Sequence, residues 1–197
     1  MVEEKKAEEI KGKEMISENL HHTLESIPRR YRVTDIEMQG EKGDLGFITV
    51  PAEMLKDLLG ELKEKMGFTH LVFLTAVDFI EEGQFQLVYM LHNYHLHGDV
   101  GVRVFIPRED SEMESIHHLW AQAATYQREL REMYGIRFPG SPRLYEAFAL
   151  EGWEDIPPMR REFDTKRYSE ETYFPRPGRE THDPADYMRK KLYPEEM

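Results

Sequence analysis

The sequence predicts one α+β domain, with a mostly antiparallel sheet, helices packed on it and a long extended C-terminal tail. Five segments have the period of strands, two have the period of helices, and the chain after Phe138 is rich in proline, arginine and aromatic residues without a clear period. A chain of 197 residues can bury one core but not two ordinary domains with linkers. We therefore expect a charged arm over 1–28, the domain over 29–140 and the tail over 141–197.

The N-terminal arm is dominated by Glu, Lys and His over residues 3–26, and apolar residues are sparse there. This composition predicts a solvated helix or a mobile arm. The first residues, MVEEKKAEEIKGKE, contain no apolar stretch of the kind found in secretory or import signals. The most apolar stretch of the chain, 68–80, is too short to span a membrane. We therefore expect a cytoplasmic protein whose links to a membrane run through partners.

Two strands are predicted at the start of the domain, in RYRVTDIEM (30–38) and GFITV (46–50). A Gly-rich turn separates them. Pro51 then opens a predicted helix over 52–66, because proline is favoured at the first helical position and the leucines that follow recur at helical spacing. One face of this helix is expected to pack on the sheet.

Three further strands complete the predicted sheet. The run HLVFLTAVDFI (70–80) is almost continuously apolar, which predicts a deeply buried strand. Apolar residues alternate with others in QFQLVYML (84–91) and in VGVRVFI (100–106), so each of these strands is expected to have one buried face. The short turns between the three strands predict an antiparallel meander.

A long helix is predicted from Met113 to Tyr134, with Gly135 as its stop. The order of two strands, helix, three strands and helix is typical of a layered α+β fold. The tail that follows cannot bury enough of itself to order alone, so its aromatic residues are expected to lie on a neighbouring protein. These residues are Trp153, Phe163, Tyr168, Tyr173 and Phe174.

The composition argues against several functions. The chain has no cysteine, so we expect it to hold no disulfide and no ordinary iron–sulfur cluster of its own. The formal net charge of −12 disfavours nucleic acid as a partner, because binding to phosphates needs clustered Lys and Arg. No Gly-rich phosphate loop follows a strand, so no nucleotide site is expected. The scarcity of Asn and the many charged residues resemble the composition of thermophile proteins.

A histidine cluster, His92, His95 and His97, provides an alternative interpretation. Imidazoles two apart on a strand face the same way and can share a zinc ion. Against a metal site, the cluster falls at a predicted hairpin end, and no cysteine or clear carboxylate completes the ligand set. A stand-alone metal-binding protein that uses these three histidines is therefore the weaker hypothesis.

The most specific motif ends the predicted long helix, in YQRELREMYGIRFPGSPRL (126–144), which we call the signature. Together with FLTAVDF (73–79), it resembles the C subunit of NADH-quinone oxidoreductase, the small peripheral-arm subunit of the 30-kilodalton type in complex I. The tail residues Trp153 and Arg160 extend this resemblance, which covers about 31–163. The signature residues that fit the family are Arg128, Glu129, Glu132, Met133, Tyr134, Gly135, Ile136, Phe138, Gly140 and Pro142.

Three departures from the family pattern favour one branch of it. Gln127 stands where the family usually has Glu, Ser141 replaces a His in the turn, and LYEAF (144–148) replaces a basic segment. With these changes the chain is most similar to the versions in energy-converting membrane-bound hydrogenase and in related sulfur-reducing complexes.

The charged residues of the signature need not be catalytic. Arg128 and Glu132 are four residues apart, so they are expected to lie on one helix face, where they can form an ion pair. Glu129 and Glu132 could in isolation serve as a carboxylate pair in acid–base or metal chemistry. Charged groups on a helix are, however, far more often solvated or bonded across an interface.

The resemblance implies a subunit without catalytic residues, cofactor or metal of its own, which holds other subunits in place. Implied partners are a hydrogenase-like large subunit, a ferredoxin-like iron–sulfur subunit, a small cluster-bearing subunit and antiporter-like membrane subunits. Iron–sulfur clusters, and a nickel–iron site in the hydrogenase branch, are then expected in those partners. The chain is expected to be a peripheral member of a ferredoxin-linked complex on the cytoplasmic side of the cell membrane. A quinone-reducing complex of the NADH dehydrogenase type is the alternative.

Overall fold

The structure, a computed structural model, describes residues 20–39, 43–150 and 152–173. These residues belong to two units, one that ends at Glu154 and one that begins at Asp155. Most of the predicted arm and the end of the predicted tail lie outside the described residues. Within the described ranges, no helix is both long enough and apolar enough to cross a membrane.

Five strands form a single sheet in the first unit. The order across the sheet is β1-β2-β5-β4-β3, and β2 and β5 are the only parallel neighbours among these five strands. The predicted α+β class and mostly antiparallel sheet, including the meander of β3, β4 and β5, are therefore confirmed. The strands are β1 (Thr34–Gln39), β2 (Leu45–Thr49), β3 (His70–Phe79), β4 (Gln84–Asn93) and β5 (Gly98–Pro107).

The inner face of the sheet carries the core. Alternate residues of β4 and β5 are buried there, as their sequence pattern predicts; these are Phe85, Leu87, Tyr89, Leu91, Val100, Val102, Val104 and Ile106. Helix α1 (Leu55–Glu64) follows Pro51 and a 3-10 turn at Ala52–Met54. Its four leucines are completely buried in the same core, and each contributes about 1.5–3 kcal/mol by burial.

Helix α2 spans Ala123–Tyr134, so the predicted helix start at Met113 is wrong. The backbone of 111–115 pairs with 137–139 instead, and the N–H of Met113 donates a hydrogen bond to the carbonyl of Arg137 at 2.9 Å. Because each backbone N–H has one proton to donate, these amides are not available to a helix. Apolar residues of the segment still reach the core from turns, as Ile116 and Trp120 do.

Strand β3 lies at an edge of the sheet, so the expectation that it is deeply buried is wrong. Its inner residues Leu74 and Ala76 are buried, whereas Phe73 and Val77 on the outer face are 37% and 42% exposed. Side chains at the start of α2 cover part of its free edge, which hinders pairing with another strand. The carbonyls of Thr69, Leu71 and Val72 accept hydrogen bonds from the side chains of Trp120, Gln122 and Tyr126.

Residues 20–25 are helical and pack against two glycines of the sheet. A Cβ atom built on Gly46 would lie 2.5 Å from the side chain of Leu24, and one on Gly98 would lie 3.1 Å from that of Leu20. Both leucines are buried in the core. The glycines thus permit a close approach to the strand backbone. The apolar face of this segment, at the end of the predicted arm 1–28, therefore belongs to the core, while its other face is exposed.

The second unit contains a helix, α3 (Thr165–Tyr173), where the sequence predicted an extended tail. Asp164 caps its first turn, because its side chain accepts a hydrogen bond from the N–H of Arg167 at 2.9 Å. The rings of Phe163 and Tyr168 lie 5.5 Å apart in the same unit. The few apolar residues of α3 give no strong helical period, which is why the sequence did not reveal it.

Candidate subunit interface

Gly135 ends α2 and redirects the chain. Its φ of 77° lies in the left-handed region, and its N–H donates a hydrogen bond to the carbonyl of Arg131 at 3.0 Å. Glycine adopts this conformation without the steric cost that a Cβ atom brings. The predicted helix stop is confirmed. Ile136 and Phe138, which follow it, are completely buried in the core.

A tight turn follows at 138–141. The N–H of Ser141 donates a hydrogen bond to the carbonyl of Phe138 at 3.0 Å. Pro139 occupies the second position of the turn, and Gly140, with φ of 84°, occupies the third. This is the residue pattern of a type II turn. The signature therefore consists of a helix end, a left-handed glycine and a type II turn, all anchored by buried apolar residues.

Glu132 holds the loop that follows the signature. Its carboxylate accepts hydrogen bonds from three successive backbone N–H groups, those of Phe148 and Ala149 at 2.7 Å and of Leu150 at 2.9 Å. Partial burial opposes its charge, but these amides and the nearby Arg131 hold the pKa of Glu132 below its ordinary value. Glu132 is therefore an ionised acceptor at neutral pH, and backbone amides occupy both of its carboxylate oxygens.

The ion pair that the spacing of Arg128 and Glu132 permits is not formed. Backbone amides bind both carboxylate oxygens of Glu132, and Arg128 lies instead beside Glu146, with Nη1 and Oε2 3.7 Å apart. The Cζ atom of Arg128 also lies 5.9 Å from the centre of the Phe148 ring. The four-residue spacing does place both residues on one helix face, but the loop beyond the signature competes for the carboxylate.

Tyr134 and Asp78 connect the signature to the sheet. The Tyr134 ring is buried and meets the Phe85 ring edge-on, with centroids 5.8 Å apart. Burial, together with the charges of Asp78 and Glu129, raises the pKa of Tyr134. Asp78, near the end of β3, binds Arg108 through two hydrogen bonds of 2.6 and 2.9 Å. This bidentate pair ties the end of β3 to the end of β5.

The remaining predicted site residues lie on α2, after the turn and in the tail. Glu129 and Met133 are half-buried on α2, and Pro142 is exposed after the turn. Trp153 is half-buried at the end of the first unit, and Arg160 belongs to the second. Their roles at an interface stay predictions.

The aromatic residues of the tail are described only in part. Trp153, Phe163 and Tyr168 are half-buried, whereas Phe174 and the side chain of Tyr173 lie outside the described residues. Their expected contact with a neighbouring protein stays a prediction.

The outer face of the sheet is open and largely apolar in the part of the chain that the structure describes. Phe73, Val77 and Phe105 are 37%, 42% and 41% exposed. The strand register places Val77, Gln86 and Phe105 side by side in one row, and Phe73 beside Met90 in another. Several exposed apolar side chains on one sheet face are typical of an interaction surface.

Charged side chains on the outer face are paired with one another. Arg103 donates a hydrogen bond to Glu37 at 2.9 Å, and its Cζ lies 4.1 Å from the centre of the Phe47 ring. His92 Nδ1 lies 2.8 Å from a carboxylate oxygen of Asp99. The outer face therefore offers apolar contact bordered by satisfied polar groups. The sequence did not identify the exposed residues of this face, because the apolar run of β3 was interpreted as deeply buried.

The three histidines of the alternative hypothesis do not gather into a metal site. His92 lies on the outer face against Asp99, and His95 and His97 are exposed in the hairpin turn that follows β4. Within the described ranges, no group of three His, Cys, Asp or Glu side chains is placed to hold a metal ion. The geometry gives no support to a stand-alone metal-binding protein.

Comparison with known proteins agrees with the signature. Residues 48–169 match the family described as the respiratory-chain NADH dehydrogenase 30 Kd subunit. A curated relative, the C subunit of NADH-quinone oxidoreductase from Moorella thermoacetica, is 35% identical over 129 residues. This alignment covers 66% of the present chain and 86% of the relative.

Two solved structures are similar in fold. One belongs to the membrane-bound sulfane sulfur reductase, an archaeal respiratory membrane complex, with a TM-score of 0.69 and 27% identity over 83% of this chain and 95% of that one. The other is the trypsin-resistant fragment of Nqo5, with a TM-score of 0.50 and 26% identity over 61% of this chain and 98% of that one. The family match extends over more than half of the chain. The chain therefore belongs to the family of the 30-kilodalton subunit of respiratory-chain NADH dehydrogenase, the C subunit of complex I-like complexes.

Proposed function

We propose that this chain is a non-catalytic structural subunit of a membrane-bound redox complex related to complex I. The complex is of the membrane-bound hydrogenase or sulfane sulfur reductase type and is linked to ferredoxin. The likeness to a chain of the sulfane sulfur reductase, with a TM-score of 0.69, supports this branch. The family departures at Gln127, Ser141 and 144–148 support it as well.

The open outer face of the sheet carries the proposal. A chain in which 32% of the residues are charged nevertheless exposes Phe73, Val77 and Phe105 on one surface. Leaving apolar surface in water costs about 25 cal/mol per Å², a cost that contact with a partner removes. Because the charges of the outer face are paired within it, the surface that covers it is expected to be apolar.

The role assigned to the chain is geometric. It has no cysteine, so the iron–sulfur clusters of the complex are assigned to its partners. These partners are a hydrogenase-like large subunit, which holds a nickel–iron site in the hydrogenase branch, a ferredoxin-like iron–sulfur subunit and a small cluster-bearing subunit. By binding them, the chain holds the clusters in register for electron transfer.

The chain is assigned to the cytoplasmic side of the cell membrane. Antiporter-like membrane subunits of the same complex supply the attachment, and the chain itself is peripheral. The description of the sulfane sulfur reductase as a respiratory membrane complex supports the attachment to a membrane.

A second candidate is the corresponding subunit of a quinone-reducing complex of the NADH dehydrogenase type. The relative from Moorella thermoacetica, a C subunit of NADH-quinone oxidoreductase that is 35% identical over 129 residues, supports it. The two candidates assign the same structural role and differ in the reaction of the complex.

Affinity purification from gently solubilised membranes tests the proposal. The chain is tagged and expressed at its native level, and mass spectrometry identifies the proteins that co-purify. A hydrogenase-like large subunit with a ferredoxin-like subunit and antiporter-like proteins is the expected result. An NADH-oxidising module in the same preparation would favour the second candidate, and recovery of the chain alone would refute both.

A further inference from the structure

A second surface, formed by α2 and the loop after the signature, differs in chemistry from the outer face. We call it the arginine patch, and it consists of Arg128, Arg131, Arg143, Tyr145 and Phe148. The Cζ atom of Arg131 lies 5.0 Å from the centre of the Tyr145 ring, and that of Arg128 lies 5.9 Å from the centre of the Phe148 ring. Arginine and exposed aromatic residues are the types that dominate binding hot spots.

The arginine patch holds more guanidinium groups than carboxylates that bind them. Glu146 Oε2 lies 3.7 Å from Arg128 and 3.8 Å from Arg143, so one carboxylate serves two arginines. Arg131 forms no ion pair within the described ranges, although it lies near Glu132, whose carboxylate is bound by three backbone amides. On a chain with a formal net charge of −12, this is a local excess of positive charge.

The arginine patch is held in shape within the chain itself. Glu132 fixes the backbone of 148–150, and Leu144 at the start of the loop is buried in the core. Arg143 has a φ of 53°, in a region that residues other than glycine seldom adopt. Such strained positions persist where the surrounding structure determines them, and they are frequent at binding sites. A surface that is already ordered loses less entropy on binding.

A shallow groove runs beside the arginine patch and shares Arg143 and Tyr145 with it, and Glu146 also lines the groove. Phe138 and Ser141 line the same groove. The Oγ atom of Ser141 is buried and has no hydrogen-bond partner among the described residues. The groove therefore gives an extended segment a path beside the charged and aromatic side chains of the arginine patch.

We propose that the arginine patch and its groove bind an extended acidic segment of a neighbouring subunit. Asp or Glu side chains of that segment bind Arg131 and Arg143, an adjacent apolar side chain packs on Tyr145, and the backbone follows the groove past Ser141. A protein segment fits better than a lipid headgroup, because the exposed rings require apolar contact beside the charge. This inference rests on the proposed function and adds to it the chemistry of one partner segment.

Site-specific photocrosslinking in the intact complex tests which segment binds there. Tyr145 is 70% exposed, so p-benzoylphenylalanine can replace it in the tagged full-length chain without disturbing the core. After irradiation and purification, the crosslinked peptide is sequenced. The expected product is a peptide of a co-purifying subunit with Asp or Glu next to the crosslink. A crosslinked peptide without carboxylates, a crosslinked lipid, or no crosslink would overturn the inference.

Charge reversal at Arg131 distinguishes a specific role of the arginine patch in binding from a general effect of the net charge of the chain. Arg131→Glu is expected to reduce recovery of the crosslinked subunit on the order of tenfold, as the loss of a well-formed charge pair does. Arg131→Lys keeps the charge and is expected to retain most of the recovery. Arg29→Glu is the matched control, because it changes the net charge equally at an exposed arginine before β1 and is expected to assemble normally.

The outcomes distinguish this inference from the proposed function. If the unmodified chain recovers no partner subunit, the proposed function fails. If the unmodified chain and Arg131→Glu recover the partners equally, the inference alone fails. Binding of the purified chain to phosphatidylglycerol vesicles that Arg131→Glu abolishes, while assembly is unchanged, would identify a lipid headgroup as the ligand and would also overturn the inference.

Discussion

The carboxylate of Glu132 accepts a hydrogen bond from the backbone N–H of Phe148, 16 residues further along the chain, at 2.7 Å. Ala149 and Leu150 donate to the same carboxylate. One side chain of the signature therefore fixes the loop that presents the arginine patch. Hydrogen bonds of this kind, between an ion and several amides, are stronger than neutral ones.

Glu132→Gln is expected to lower the free energy of unfolding by about 1–3 kcal/mol. Glutamine keeps one acceptor oxygen, but its amide NH₂ group faces backbone N–H groups that need an acceptor. Chemical denaturation of the purified chain measures the change. Glu129→Gln, at a half-buried position on the same helix, is the control and is expected to change stability by less than about 0.5 kcal/mol. Equal effects of the two substitutions would contradict this account of Glu132.

The contribution of Glu132 to the free energy of unfolding is also expected to depend on pH. Because the fold lowers its pKa, the stabilisation is fully present above the pKa of Glu in the unfolded chain, about 4.3, and is lost as the pH falls through the folded value. The difference in unfolding free energy between the unmodified chain and Glu132→Gln should therefore shrink on acidification. Denaturation series at several pH values measure it. A difference that is constant or larger in acid would be inconsistent with an ionised, hydrogen-bonded Glu132.

Two glycine substitutions are expected to change the stability of the fold in opposite directions. Gly135→Ala places a Cβ atom at φ of 77° and is expected to cost about 1–2 kcal/mol of stability. Gly60→Ala lies inside α1, where nothing lies within 4 Å of the new methyl group, and is expected to add about 0.5–1 kcal/mol. Thermal unfolding of both variants tests this contrast, and a change of the same sign in both would argue against the left-handed helix end.

Leu24→Ala tests whether residues 20–25 belong to the core. Its side chain is buried against Gly46, so truncation is expected to cost about 2–5 kcal/mol of unfolding free energy. His22→Ala is an exposed control in the same segment and is expected to be nearly neutral. If the leucine substitution were as mild as the histidine substitution, the N-terminal segment would not be packed on the sheet in solution.

Features with a local cause could be predicted from the sequence. The alternation of Phe85, Leu87 and Tyr89 depends only on the two-residue period of a strand, and the leucines of α1 only on the helical period. Gly135 could be identified because helices commonly end at a left-handed glycine. The start of α2 could not be located, since 111–115 pairs with a segment more than 20 residues away, as Met113 does with Arg137.

The candidate site was predicted in position but not in contacts. The signature located Arg128 and Glu132, but their partners Glu146 and Phe148 lie in a loop whose return to α2 has no sequence pattern. The burial of Leu20 and Leu24 was hidden by the charged residues around them, and the glycines that admit them lie in distant strands. The apolar run of β3 suggested deep burial, and under the proposed function a partner protein covers the exposed side.

The central claim is that the outer face of the sheet docks on another subunit. The most direct test of this claim is the assembly of a Val77→Lys chain. Val77 is 42% exposed, so its replacement is expected to change the stability of the isolated chain by less than about 1 kcal/mol. Ala121→Lys adds the same charge at an exposed position before α2 and serves as the control. The measurement is the amount of partner subunits recovered with each tagged chain. The account predicts that Val77→Lys folds normally but recovers on the order of tenfold less partner than Ala121→Lys, whereas full recovery of the partners by Val77→Lys would contradict it.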